Sequence, residues 1–263
     1  MSARGETAPA PTHLLPARAP FAGAELLAFL ERRAVPGVED VAPYRRALRL
    51  AHGAGVATLT PAPGGIAAAL DLDDPRDTGE ALAHLTALLD LDAPAPEIAA
   101  ALGADPRLRF IPGLRVPGGD GYEIATRAIL TQQISVKAAR THAARLVAAA
   151  GEPLARARGA VTHLFPTAEA IAAAPDAAFA LPARRRATLR SLAGAPLATL
   201  TDLPGVGPWT QAYVDLRARR DRDAWLPTDL GVRHGLARLG LHERDAERWH
   251  PYRGYAVMAL WHA

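Results

Sequence analysis

The string Leu203-Pro204-Gly205-Val206-Gly207-Pro208-Trp209 constrains this chain more than any other stretch of it. A helix is expected to end near Leu200. Two glycines then permit a tight turn, and Pro208 stands where a first helical residue tolerates a missing N–H. Gly205 and Gly207 carry no Cβ, so the backbone there can approach another molecule closely. The N–H groups opening the helix at Trp209 lie at the positive end of its dipole, which suits the turn to a phosphate. A bare G-x-G also serves as an ordinary link between helices; the whole string, flanked by helical patterns, is far more specific.

A carboxylate follows at Leu226-Pro227-Thr228-Asp229-Leu230-Gly231-Val232-Arg233, with Asp229 placed 20 residues after Trp209 at the mouth of another expected helix. Thr228 or Asp229 reads most simply as a helix N-cap. That reading is compatible with a chemical one, because a carboxylate accepting helix N–H bonds is favoured as the anion. Breaking an N-glycosidic bond builds positive charge on the sugar. A fixed anion near C1′ stabilises that state and can orient water, as carboxylates do in glycoside hydrolysis.

The rest of the chain divides by pattern. Residues 1–12 read as a flexible Ala/Pro-rich tail, and 13–77 as a small α+β module. Its expected elements are a helix over 24–33 and short strands over 55–60 and 66–72 around Pro61-Ala62-Pro63-Gly64-Gly65. From 78 to 263 the pattern is helical almost throughout, broken by Pro and Gly. Helices are expected over 78–89, 96–102, 121–132, 135–150, 167–173, 184–192, 209–217, 230–239 and 252–261, with the helix-hairpin-helix near 195–217. Ser135 is placed to cap its helix and Gly151 to end it. The fold class is therefore α+β, a sheet module followed by an all-helical body.

Composition narrows the function classes. At 49% hydrophobic and 22% charged residues the chain can bury a core. It has no cysteine, which excludes disulfides, thiolate zinc sites and cysteine-held iron–sulfur clusters. The histidines, His13, His163 and His234 among them, show no metal-ligand spacing. The net charge is +3 and the pI about 9.7, with Lys137 the sole lysine among many arginines. Arginine pairs with phosphate in two-point geometry and stacks on flat rings, although a GC-rich coding sequence yields the same bias. No run of about 20 apolar residues spans a membrane, and no secretory signal is evident. A cytoplasmic, nucleoid-associated monomer is expected.

The hairpin and Asp229, with Arg115-Val116-Pro117-Gly118, the run Tyr122 to Val136 (YEIATRAILTQQISV), Trp209-Thr210-Gln211-Ala212-Tyr213 and Trp249-His250-Pro251-Tyr252-Arg253 through Trp261, resemble the bacterial DNA-3-methyladenine glycosylase II family of the helix-hairpin-helix glycosylase superfamily. The resemblance covers nearly the whole chain after the tail and implies a TATA-box-protein-like sheet module. It implies Asp229 as catalytic aspartate, and Trp209, Tyr213, Trp261 and Phe29 as aromatics of a base pocket. It places Gly205, Val206, Gly207 and Thr210 of the hairpin, together with Gln133 and Ser135, at the DNA. Main-chain carbonyls of Thr201, Leu203 and Val206 correspond to a structural monovalent cation site (sodium or potassium); no cofactor is implied for catalysis. Trp225 and Trp249 read as core.

Two departures stand out. Gln133 occupies the position wedged into the DNA stack, where relatives place leucine, and the stretch between Arg184 and Leu203 looks short. Bifunctional relatives carry a Schiff-base lysine after the hairpin; here that position is Trp209, and Lys137 belongs to another helix. The resemblance thus implies a monofunctional glycosylase that removes alkylated purines from double-stranded DNA. An aromatic pocket attracts a cationic ring by about 0.5–2 kcal/mol per face, so leaving-group chemistry must supply further selectivity. The rivals are a non-catalytic DNA-binding or regulatory protein, separated by base release that depends on Asp229, and a glycosylase for deaminated bases, separated by a substrate panel.

Overall fold

A computed structural model describes residues 10–263. The tail expected over 1–12 falls mostly outside these residues, and Thr12 already opens the first strand. The N-terminal part runs β1 (Thr12–Pro16), α1 (Gly23–Arg33), β2 (Glu39–Asp40), β3 (Tyr44–Leu50), β4 (Gly53–Ala62) and β5 (Gly65–Leu72). The strands form one antiparallel sheet in the order β1-β5-β4-β3-β2. The expected strands are β4 and β5, turning at Gly64, whose φ of +76° favours glycine. The sequence reading left β1, β2 and β3 undivided within a mixed pattern.

Side chains alternate across the sheet, so its two faces do different work. Leu48, Ala57, Leu59, Ile66, Ala68 and Leu70 bury one face against Leu26, Leu27 and Leu30 of α1. The same core takes Ala81, Leu85 and Leu88 of α2 (Thr78–Leu88), a helix the sequence reading placed in the helical body. The opposite face sets Ala47 and Val56 against Ile124, Ala125 and Ile129 of the body. At that junction lies a buried ionic cluster, in which Glu39 and Glu123 share Arg46 and Arg127 at 2.5 to 2.8 Å.

The body continues with α3 (Ala95–Gly103), α4 (Gly121–Thr131), α5 (Val136–Ala150), α6 (Ala168–Ala173), α7 (Ala183–Ala193), α8 (Pro208–Arg217), α9 (Leu230–Arg238) and α10 (Arg253–His262). It is not all helical. A two-stranded ribbon, β6 (Glu152–Arg158) with β7 (Val161–Leu164), corrects the expectation of helices alone. The ribbon escaped the sequence reading because β6 is mostly exposed and rich in Ala and Arg. What holds it is charge: Arg158 pairs with Asp71 and Asp73 of the β5 end at 3.0 and 2.7 Å, and Arg156 with Asp71 at 2.7 Å. No helix among the described residues is long and apolar enough to cross a membrane.

Candidate active site

The hairpin is built from the bottom by its neighbours. Before it, in the stretch flagged as short, the chain makes only a kinked 3-10 segment, Leu197–Asp202, in place of a regular helix. Gly205 then adopts φ +88°, and a Cβ there would meet the Thr188 hydroxyl at 2.4 Å. That hydroxyl donates to the Pro204 carbonyl at 2.8 Å. Gln132, at the end of α4, donates its amide to the Gly205 carbonyl and to the Thr210 hydroxyl, each at 3.0 Å. Gly207 is the N-cap of α8, Pro208 follows in the first turn, and nothing lies within 4 Å of where a Gly207 Cβ would stand. The turn is braced from behind and open in front, as a phosphate site requires.

Holding a non-glycine residue at such a φ costs about 1–3 kcal/mol, and 1.4 kcal/mol is a factor of ten in binding. Gly205→Ala should therefore weaken binding to an abasic-site duplex by about tenfold or more. Fluorescence anisotropy at fixed salt measures it; unchanged affinity would contradict the hairpin's assignment to the DNA.

Asp229 is the N-cap of α9, and its carboxylate accepts three N–H groups. The Trp209 indole donates to Oδ2 at 2.8 Å; the Trp261 indole and the Val232 backbone N–H donate to Oδ1, each at 2.9 Å. The N-cap reading and the chemical reading of this residue thus coexist in one side chain. Gly231 makes the indole contact feasible, because a Cβ there would lie 2.7 Å from the Trp261 ring. Both oxygens act purely as acceptors, and the half-buried group faces a cleft of about 1230 Å³ that also takes in Gln133, Gly205 and Gly207.

Aromatic rings flank the carboxylate. Trp209 and Tyr213, one helical turn apart on α8, stack at 5.3 Å between centroids, and Tyr213 meets Trp261 of α10 at 6.3 Å. Phe29 departs from expectation. It is fully buried and stacks behind Trp261 at 5.9 Å, so it backs the wall without facing the cleft. Trp225 and Trp249 pack at 5.9 Å in the C-terminal core. Two arginines that the sequence reading did not single out, Arg33 and Arg217, line the cleft at the aromatic wall, and Arg127, Arg140, Arg184, Arg185 and Arg238 line it elsewhere.

The remaining sequence candidates fall as follows. Gln133 is exposed on the cleft with φ +59°, between α4 and α5. Ser135 lines the same cleft and caps α5 through a 3.2 Å bond from the Ala138 N–H. Thr210 is buried at the cleft lining, and its hydroxyl accepts from the Gln132 amide, so its side chain braces the hairpin. Val206 donates its N–H to the Leu203 carbonyl at 3.1 Å, which leaves that carbonyl one lone pair for a cation. Gln132 and Thr188 were missed as hairpin supports; their sequence neighbourhood carries no signal of a contact more than 15 residues away.

Residues 126–250 match the model of HhH-GPD superfamily base excision DNA repair proteins, and residues 12–120 that of the AlkA N-terminal domain. DNA-3-methyladenine glycosylase 2 of Escherichia coli is 34% identical over 92% of this chain and 94% of its own length. This chain belongs to the DNA-3-methyladenine glycosylase 2 family. The family member described here is also 42% identical, over 94% of its length, to the probable bifunctional transcriptional activator/DNA repair enzyme AlkA of Mycobacterium tuberculosis. It spans 56% of that relative, about half its length. The 3-methyladenine DNA-glycosylase of Archaeoglobus fulgidus shares the fold with a TM-score of 0.79 at 21% identity, covering 95% of this chain and 96% of that one. The Clostridium acetobutylicum 8-oxoguanine glycosylase/lyase, in complex with double-stranded DNA, has a TM-score of 0.71 at 16% identity, covering 92% and 90%.

Proposed function

We propose that this chain is a monofunctional DNA glycosylase that hydrolyses the N-glycosidic bond of alkylated purines in duplex DNA, with Asp229 as the catalytic carboxylate. The observation that carries the reading is one cleft holding both an open glycine turn and a carboxylate fixed by three N–H donors. The hairpin holds the DNA backbone, and Gln133 fills the space of the extruded nucleotide. Trp209, Tyr213 and Trp261 enclose the base, and Phe29 supports them. Turning a base out of the stack costs a few kcal/mol, less where alkylation has weakened its pairing.

The bond from C1′ to the base nitrogen breaks with its electron pair leaving on the base. Asp229 stabilises the positive charge growing on the sugar and orients the water that adds to C1′. A cationic N-methylated purine departs as a neutral molecule and needs no strong acid. Lys137, the sole lysine, is exposed in the first turn of α5 and lies off the cleft lining, which supports hydrolysis without a lysine Schiff base. Carbonyls of Thr201, Leu203 and Val206 would hold a monovalent cation that stiffens the hairpin and takes no part in the chemistry. The acting species is a monomer.

Methylated duplex DNA provides the test. The chain should release 3-methyladenine, detected by chromatography, and leave abasic sites that break only on alkali treatment. Borohydride should trap no covalent complex. DNA binding without release of any base would instead favour a damage-binding protein, and a borohydride-trapped complex would overturn the monofunctional assignment.

A further inference from the structure

The cleft contains a charged side chain that this hydrolysis leaves unused. Arg33 ends α1 one helical turn after Phe29, and its guanidinium lies 3.7 Å from the centre of the Phe29 ring and 5.6 Å from that of Trp261. It lines the cleft with Trp209, Tyr213 and Asp229. Among the described residues no carboxylate pairs with it and no acceptor takes its N–H groups. Arg217 is committed by contrast: its Nε donates to the Pro117 carbonyl and its Nη1 to the Tyr213 hydroxyl at 2.9 Å. Burial, reinforced by the charge of Arg217, lowers the Arg33 pKa to about 10, which leaves it a cation at neutral pH.

Two guanidinium groups beside an aromatic wall also suit a base that turns negative as it leaves. A neutral base leaves with the bond's electron pair as an anion, its charge spread over ring nitrogens and exocyclic oxygens. Water adds its hydroxyl to C1′, and the proton it gives up ends on the departed base. We propose that Arg33 is the leaving-group electrophile of this pocket. Its free N–H fork donates to a carbonyl oxygen or ring nitrogen of a flipped neutral base and stabilises the negative charge that base acquires. The inference rests on the glycosylase reading above and names the donor that this site would use on neutral oxo-bases: of the arginines lining the cleft, Arg33 and Arg217 lie over the aromatic wall, and Arg217 is committed.

The test compares two leaving groups under single-turnover conditions: hypoxanthine, from a duplex with one deoxyinosine, and 3-methyladenine, from methylated duplex. Arg33→Gln should slow hypoxanthine release about 100-fold and 3-methyladenine release by less than about threefold, and Arg33→Lys should recover part of the hypoxanthine rate. Equal losses on both bases, or a hypoxanthine rate indifferent to the substitution, would overturn the proposal. So would a wild-type protein that releases 3-methyladenine and no hypoxanthine; one that releases neither overturns the glycosylase reading itself. Thermal unfolding and affinity for an abasic-site duplex report on the fold of each variant. If Arg33→Gln does not fold, Arg33→Lys carries the comparison: a loss confined to hypoxanthine supports the role, and an equal loss on both bases ends it.

Discussion

Asp229→Asn should slow 3-methyladenine release by about 100-fold or more, which corresponds to roughly 2.7 kcal/mol of transition-state stabilisation. The substitution keeps the shape and removes the charge. A neutral amide cannot offset the positive charge that grows on C1′, and the field of the fixed anion is worth most in a cleft that excludes water. A second effect has the same sign. Three N–H groups point at the two carboxylate oxygens, so an asparagine must aim its own NH2 at one of these donors. Either the Trp209 indole, or both the Trp261 indole and the Val232 N–H, then lose their partner, and each unsatisfied polar group costs about 1–3 kcal/mol.

Asp229→Ser separates the two effects. Its hydroxyl can still accept from the Val232 N–H as an N-cap, with no charge retained. Both variants should bind an abasic-site duplex within a few-fold of wild type, because the hairpin that holds the backbone is braced by Gln132 and Thr188, away from this residue. Single-turnover base release paired with anisotropy decides the matter. Full activity in Asp229→Asn, with binding intact, would remove Asp229 from the chemistry and leave it as a helix cap.

The parts legible in the sequence were those whose signal is local. Gly205, Gly207 and Pro208 announce their turn because φ restrictions are written in single residues, and Ser135 and Asp229 announce helix starts through their own side chains. The strands β4 and β5 showed through alternation around a Pro/Gly turn. What stayed hidden depends on distant partners. β6 is held by carboxylates some 85 residues away, and its alternating Ala and Arg resemble neither a core strand nor a helix face. Phe29 was placed in the pocket by resemblance alone; packing sets it behind Trp261. Arg33 stood at the spacing of a cation over an aromatic, i to i+4 from Phe29, and that cue had no meaning until the cleft around it was known.

Glu39→Gln is the stability change with the largest expected effect, about 3–5 kcal/mol, and it acts where the sheet module meets the body. Glu39 is 4% exposed and accepts from Arg46, Arg127, the Tyr44 hydroxyl and the Val35 N–H at 2.7 to 2.8 Å. A glutamine cannot neutralise two buried guanidinium groups, and Glu123 alone would be left to pair both. For a chain of this size the loss should lower Tm on the order of 10 °C. The pH dependence provides a sharper signature than the size. Burial pushes the Glu39 carboxyl up, but the Arg127 and Arg46 charges outweigh it and hold the pKa down at about 2, against an ordinary 4.5. A depressed folded-state pKa means stability that is complete above about pH 4.5 and is lost as pH falls toward 2. Wild type should therefore destabilise more steeply than Glu39→Gln on acidification through that window, so the two curves converge at low pH. Urea unfolding at several pH values measures it. A constant gap between wild type and variant from pH 6 down to 3 would show that the charge of Glu39 is not what joins the module to the body.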